Sequence, residues 1–167
     1  MSTMKAIQQK RVWNDDAGEV RSDISLEKFV WQILGAETFI PSEPTSSLDL
    51  LEASLLGVNK LALLSLADVM EIPMKDMAGL LNLSYKTLSR KNESDPFDSV
   101  VSSQSIEIAN TVAHGIKVFE DEYKFRRWLH KENRALRGKR PFDLLKTPTG
   151  IRMVNQILGR IDEGVYS

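Results

Sequence analysis

Apolar residues recur three or four positions apart along most of the chain, which is the period of an amphipathic helix. Near the N-terminus, Leu26, Phe29 and Ile33 follow this pattern, with Ser25 as a candidate N-cap and Gly35 as a stop signal. No stretch alternates between apolar and polar residues as a strand does. We therefore predict an all-α fold. Further helices are predicted over residues 48–56, 59–71, 74–81, 85–91, 105–119, 122–131 and 147–164.

Two stretches interrupt the helical pattern. Residues 1–24 are polar and have no period, which indicates a mobile N-terminal arm. Residues 39–47 contain Pro41, Pro44 and three serines, a composition typical of a linker. The predicted parts are an N-terminal arm with an accessory helix over residues 1–46, a central helical region over residues 47–100, and a C-terminal domain over residues 101–167.

The composition excludes several kinds of chemistry. The 167 residues include no cysteine, which rules out disulfides, thiolate metal sites and a cysteine nucleophile. His114 and His130 are the two histidines, which is little material for a zinc site. The sequence has neither an 18-residue apolar window nor the apolar centre of a secretory signal. We therefore expect a cytoplasmic protein that binds no cofactor and no membrane.

The sequence offers no convincing catalytic constellation. Neither histidine has an acidic residue at helical spacing that could complete a triad. The nine glycines are scattered and form no phosphate-binding loop. These observations favour a binding protein over an enzyme.

A candidate helix-turn-helix occupies residues 73–91, with the sequence PMKDMAGLLNLSYKTLSRK. Ala78 is small enough to lie where two helices cross, and Ser84 can cap the second helix after a turn at Asn82. Four basic residues and one acidic residue fall in this segment, which favours DNA binding through the second helix. An ordinary helical hairpin with a solvated charged face has the same spacing. The predicted DNA contacts are Ser84, Tyr85, Lys86, Thr87, Ser89, Arg90 and Lys91.

The last part of the chain differs in charge from the rest. Residues 1–120 carry 11 basic and 17 acidic side chains, whereas residues 121–167 carry 11 basic and 6 acidic ones. Between Lys124 and Arg140, eight basic residues accompany a single acid, Glu132. Such an excess attracts an anionic partner at range. Charge alone leaves open whether this partner is a nucleic acid or an acidic protein surface.

A set of motifs in a fixed order runs through residues 113–165, and its centre reads NRALRGKRPFDLLKTPTG. The other motifs include Val118-Phe119, Trp128-Leu129, Val154, Leu158, Arg160 and Gly164-Val165. This segment closely resembles the toxin-binding domain of the Xre/MbcA/ParS-type antitoxins, which accompany RES-domain toxins in bacterial toxin-antitoxin modules. It departs from the family pattern at Glu120, Phe125 and Glu132. Phe125 stands where a small residue is usual, and this departure bears on the local packing of its helix.

The resemblance implies an antitoxin that blocks the active site of a RES-domain, NAD-degrading toxin and represses its own operon through the Xre-like helix-turn-helix. We expect a homodimer, because one short recognition helix reads too few base pairs for useful affinity. The alternative is a stand-alone helix-turn-helix repressor whose C-terminal domain only dimerises. The predicted toxin contacts are Asn133, Arg134, Arg137, Lys139, Arg140, Arg160, Gly164, Val165 and Tyr166. The predicted core residues of this domain are Trp128, Leu129, Leu136, Leu144, Leu145, Val154 and Leu158.

Overall fold

The computed structural model describes residues 11–15 and 18–165 of the protein. Apart from isolated bridges, these residues form helices and turns without a β-strand, which confirms the all-α class. None of the helices described is both long enough and apolar enough to cross a membrane. The α-helices are α1 (Leu26–Ile33), α2 (Ser47–Leu56), α3 (Lys60–Met70), α4 (Met74–Leu80), α5 (Tyr85–Arg90), α6 (Ser99–Phe119), α7 (Glu122–Leu129), α8 (Pro141–Leu144) and α9 (Pro148–Asp162).

Polar caps fix several helix starts at the positions that the sequence predicts. The side chains of four capping residues each accept a hydrogen bond from the backbone N–H three residues further on. These residues are Ser25, Asn59, Ser84 and Thr147. Pro148 occupies the first position of α9, where its missing N–H costs nothing. The start signals are local, so the sequence alone was enough to find them.

The start of α6 lies six residues before the predicted one. The helix begins at Ser99, and the Asp98 carboxylate caps its first turn. Residues 99–104 are serines, valines and a glutamine, which have modest helix propensity and form no apolar stripe. Tertiary contacts hold them in the helix: Ser102 is buried, and its hydroxyl accepts a hydrogen bond of 2.8 Å from the backbone N–H of Val58.

The central helix of the fold is α6, which packs against α1, α2, α7 and α9. At Gly115, in the part of α6 that faces α7, an added Cβ would lie 2.0 Å from Cε2 of Phe125. The Phe125 side chain is fully buried in the space above this glycine. The large side chain at position 125, which the sequence analysis singled out, is therefore accommodated by the glycine opposite it.

The prediction of a mobile arm is wrong for the described part of residues 1–24, and the remainder of that arm lies outside the described residues. Trp13 is 3% exposed, and the centroid of its ring lies 5.1 Å from that of Phe29. Ile24 is buried too, and its carbonyl oxygen accepts a hydrogen bond from Nζ of Lys117. Single large side chains anchor this segment, and isolated anchors produce no sequence period.

The predicted linker at residues 39–47 connects α1 to α2 and also packs on the body. Phe39 is buried, and Nε1 of Trp31 donates a hydrogen bond of 3.0 Å to the carbonyl oxygen of Ile40. One hydrophobic core then extends from Trp13 to Leu158. The predicted divisions after residues 46 and 100 fall within this shared core, and as functional units they stay predictions.

Candidate functional site

The first candidate surface is the helix pair α4–α5. The connecting residues 81–84 turn tightly, and Asn82 adopts the left-handed conformation with φ 55°. Ala78 is buried where the helices meet, and its carbonyl oxygen accepts a hydrogen bond of 2.9 Å from the N–H of Leu83. Leu88 anchors α5 to the body. Asn therefore takes the place that glycine often has in such a turn, because its side chain tolerates a positive φ.

The outer face of α5 exposes most of the predicted DNA contacts. Tyr85 is 53% exposed, and Lys86 and Arg90 are exposed beside it. The remaining predicted contacts are also exposed, except for the half-buried Lys91. Nζ of Lys91 lies 5.0 Å from the ring centroid of Phe97, a cation–π contact that holds this lysine against the connector between α5 and α6. The outer face of α5 thus exposes the charges of Lys86 and Arg90 and the phenol of Tyr85.

The turn of this helix pair is tied to the C-terminal part of the chain. Nδ2 of Asn82 donates a hydrogen bond of 3.2 Å to the carbonyl oxygen of Lys146, in the loop before α9. Nε2 of Gln104, on α6, donates one of 2.8 Å to the carbonyl oxygen of Leu145 in the same loop. Sequence analysis missed both contacts, because partners 64 and 41 positions apart leave no local signal.

The second candidate surface is the loop between α7 and α8, and Asn133 organises it. Asn133 is 6% exposed; its side chain accepts a hydrogen bond from the N–H of Ala135, and its carbonyl oxygen accepts one from the N–H of Gly138. Sequence analysis placed Asn133 among the direct toxin contacts. In the structure this buried residue shapes the loop, and a direct contact between Asn133 and a toxin stays a prediction. The other predicted toxin contacts of this loop all have exposed side chains, and they are Arg134, Arg137, Lys139 and Arg140.

Part of the positive charge between residues 124 and 140 is neutralised within the fold. Arg126 is 16% exposed, forms an ion pair with Glu122, and forms another of 3.1 Å with Glu71. Arg140 donates two hydrogen bonds, of 2.9 and 2.7 Å, to the carboxylate of Asp143. This contact lowers the pKa of Asp143. The electrostatic attraction expected from the sequence is therefore weaker than a count of charges indicates.

His130 joins the loop to α8. Its ring centroid lies 4.8 Å from that of Phe142, and burial together with the charge of Arg140 lowers the pKa of His130. An open depression of about 540 Å³ lies beside it, lined by residues 130–134 and Gly138. Among the described residues, no group of His, Asp and Glu is arranged to hold a metal ion.

The C-terminal end of α9 carries the remaining predicted toxin contacts. Gly164 has φ 70°, and the N–H of Val165 donates a hydrogen bond of 2.9 Å to the carbonyl oxygen of Arg160, which closes the helix. Arg160 is exposed, and Val165 is 66% exposed. Tyr166 lies outside the described residues. From Gly150, which contacts α8, to Arg160 the axis of α9 rises by about 15 Å, so the tail and α8 lie at opposite ends of this helix.

The described residues thus form an all-α body that exposes cations on α5 and on the α7–α8 loop. Residues 114–164 match the antitoxin Xre/MbcA/ParS C-terminal toxin-binding domain, which confirms the resemblance found in the sequence. The matched segment contains the Asn133 loop, α8 and nearly all of α9, and it is similar to the toxin-binding domain of antitoxins. No curated protein matches the chain.

Proposed function

We propose that the protein neutralises a RES-domain toxin by covering the entrance to its NAD-degrading active site. The observation that carries this proposal is the match of residues 114–164 to a toxin-binding domain, in a segment whose loop cations are exposed. Exposed cations at the rim of an interface steer association with an acidic partner, and an apolar tail beyond them anchors the complex. The domain would bind its target in the cytoplasm without chemistry of its own.

The first experiment separates the tail from the loop. A chain that ends at Gly164 should dissociate faster from the toxin, whereas Arg137→Glu with Lys139→Glu should associate more slowly and with altered salt dependence. Binding kinetics of the purified pair and growth rescue of cells that express the toxin are the measurements. Lys86→Glu with Arg90→Glu, a double reversal on α5, is the matched control and should leave toxin binding unchanged.

Two outcomes would redirect the proposal. Full neutralisation by the shortened chain would exclude the tail as the anchor and assign that role to the loop. If co-expression with the protein encoded by the neighbouring gene gives no complex, the chain is better explained as a stand-alone helix-turn-helix repressor. Co-purification with a RES-type protein would support the antitoxin proposal directly.

We further propose that α5 binds operator DNA and that the protein represses its own operon as a dimer. The exposed Lys86 and Arg90, with Tyr85 between the helix cap and these cations, support this proposal. Replacing both cations by Ala should weaken binding and reduce the salt dependence by about one counterion per lost phosphate contact. Lys124→Ala with Lys131→Ala removes the same charge elsewhere and is the control. An unchanged salt slope in the α5 variant would contradict the assignment.

A further inference from the structure

Helix α5 is short, and little of it is buried. Leu88 packs into the core, and the side chains of the other five residues are exposed. The start of the helix is fixed by Ser84, whose hydroxyl accepts a hydrogen bond of 3.0 Å from the N–H of Thr87. The last carbonyl oxygens of a helix have no partner within it. The direction in which α5 presents Lys86 and Arg90 therefore depends on what holds its C-terminal end.

The side chain of Lys60, the first residue of α3, reaches this end of α5. Its Nζ donates a hydrogen bond of 2.9 Å to the carbonyl oxygen of Ser89 and one of 3.2 Å to the carbonyl oxygen of Lys91. A positive charge is favourable at the C-terminal end of a helix, because the carbonyl oxygens there carry the negative end of the helix dipole. One ammonium group thus partners two carbonyl oxygens where α5 ends.

Lys60 is unfavourably placed in its own helix. A cation in the first turn of a helix opposes the helix dipole. Asn59 already caps α3, since its side chain accepts a hydrogen bond of 2.9 Å from the N–H of Ala62. The Lys60 side chain is also half-buried, and ordering a long flexible side chain costs conformational entropy. The favourable contacts of this lysine are therefore with α5 and not with α3.

The connector that follows α5 is bound to the same end of α3. The N–H of Leu61 donates a hydrogen bond of 3.2 Å to the carbonyl oxygen of Glu93, and the N–H of Phe97 donates one of 2.8 Å to that of Val58. The start of α3 and the connector thus form one hydrogen-bonded unit. The lysine ammonium joins the end of α5 to this unit.

We propose that Lys60 is a positioning residue for DNA recognition, which holds α5 at the angle that lets Lys86 and Arg90 reach the duplex together. This inference rests on the proposed binding of operator DNA by α5. Reading base edges requires a defined helix position in the major groove, whereas attraction to phosphates is independent of sequence. Because the Lys60 ammonium is bonded to protein carbonyl oxygens, it contributes to the preference for the operator and not to the attraction for DNA in general.

Hydrogen exchange of the full chain without DNA tests the positioning. Lys60→Met keeps an unbranched apolar stem and removes the ammonium. The amides of residues 88–90 should then exchange about tenfold faster, since hydrogen bonds from a charged donor no longer hold the end of α5. Lys117→Met is the matched control, because Nζ of Lys117 donates to the carbonyl oxygen of Ile24 and joins α6 to the N-terminal segment. It should leave α5 unchanged. Equal α5 exchange in Lys60→Met and the unmodified chain would overturn the proposal.

Titrations with two duplexes of equal length, the promoter region of the chain's own operon and a random sequence, test the effect on recognition. Lys60→Met should lower affinity for the promoter duplex by about tenfold and leave affinity for the random duplex and its salt dependence unchanged. Lys60→Arg, which keeps a cation for the two carbonyl oxygens, should restore most of the preference. Circular dichroism should show that all variants keep their helices.

The other outcomes of the titrations separate this inference from the proposal on which it rests. A loss of affinity for both duplexes, with a salt slope reduced by about one, would identify Lys60 as a phosphate contact and overturn its positioning role. An unchanged promoter preference in Lys60→Met would overturn the inference and leave the DNA-binding proposal intact. An unmodified chain that binds neither duplex would overturn the DNA-binding proposal and, with it, the role of Lys60 in recognition.

Discussion

At the scale of single residues, the contact between Gly115 and Phe125 shows how this chain accommodates a large side chain between α6 and α7. The ring of Phe125 occupies the volume that a side chain at position 115 would need. It also lies within ring contact of Phe119 and Trp128, so the position joins α6 and α7 in one aromatic cluster. Each residue of the pair constrains the choice at the other.

Gly115→Ala should therefore destabilise the protein by about 1–3 kcal/mol through overpacking. Phe125→Leu should relieve part of that loss, so that the double variant is more stable than the sum of the single changes allows. Urea unfolding of the four proteins measures this coupling. Gly159→Ala is the matched control: nothing lies within 4 Å of the added Cβ in α9, and it should stabilise the helix by about 0.5–1 kcal/mol. Additive effects at positions 115 and 125 would contradict the pairing.

The lowered pKa of His130 has a consequence for stability. The unfolded chain takes up a proton on this imidazole at a higher pH than the folded chain does, so stability falls as pH drops through about 6.5. The melting temperature should decrease between about pH 7.5 and about pH 5.5, before the carboxylates titrate. His130→Phe, which keeps a ring beside Phe142, should flatten that decrease. Parallel pH profiles for the two proteins would show that His130 is not the group responsible.

At this scale the sequence predicts the role of a residue when its contacts are with residues a few positions away in the chain. Ser84 and Thr147 cap the helices that follow them, and their side chains reach only three residues ahead. It does not predict pairs such as Gly115 with Phe125, or the burial of Asn133, because those depend on which helices meet. The loop cations were found from charge, and the ion pair that neutralises Arg126 was not.

At the scale of elements, the position of α8 against α9 depends on one close approach. The backbone carbonyl oxygen of Leu144 would lie 1.9 Å from a Cβ added at Gly150. Gly150 occupies the first turn of α9, where its N–H donates a hydrogen bond of 3.0 Å to Oγ1 of Thr147. The backbone of α8 therefore lies where a side chain at position 150 of α9 would be, and there is no room for a methyl group.

Gly150→Ala should displace α8, because a backbone carbonyl cannot move aside as a flexible side chain can. We expect toxin affinity to fall more than DNA affinity, together with a loss of about 1–3 kcal/mol of stability. Parallel titrations with toxin and with operator DNA, and thermal melts, are the measurements. The control is again Gly159→Ala in the same helix. Unchanged toxin binding by a destabilised Gly150→Ala variant would show that α8 does not position the binding surface.

Helix periodicity and caps predict most elements, since both signals act within one helix. The exception among the long helices is the first part of α6, where Ser102 and its neighbours are helical because they pack against the chain near Val58. Their sequence has the composition of a connector. Helix α2 shows the opposite case. The sequence pattern predicts the helix, and the structure shows that Leu48, Leu51, Leu55 and Leu56 face outward.

At the scale of the whole molecule, the N-terminal segment is part of the packed body. Arg11 forms ion pairs of 2.9 Å with Asp68 on α3 and 3.4 Å with Glu122 on α7, next to the buried Trp13. The sequence could not predict this, because one tryptophan in a polar stretch resembles an unstructured arm. The N-terminal segment and the rest of the chain therefore share one hydrophobic core, although the polar stretches between helices indicate separate parts.

A chain that begins at Ser25 should lose stability, since it exposes the core surface that Trp13 and Ile24 cover. Fully burying a large apolar side chain contributes about 1.5–3 kcal/mol, so we expect a loss of several kcal/mol and a lower melting temperature. Trp13→Ala in the full chain tests the main anchor separately and should account for much of the loss. Melting curves equal to those of the full chain would contradict the packing of this segment.

The shared core also determines how the protein would be removed from a cell. A protease can cut loops and ends that open locally, the α7–α8 loop among them, but α5 and the helices of the matched segment are reached only when the core itself opens. Both surfaces would then be destroyed in the same event. Under the proposed function, degradation that begins with the opening of the core would end neutralisation and repression together.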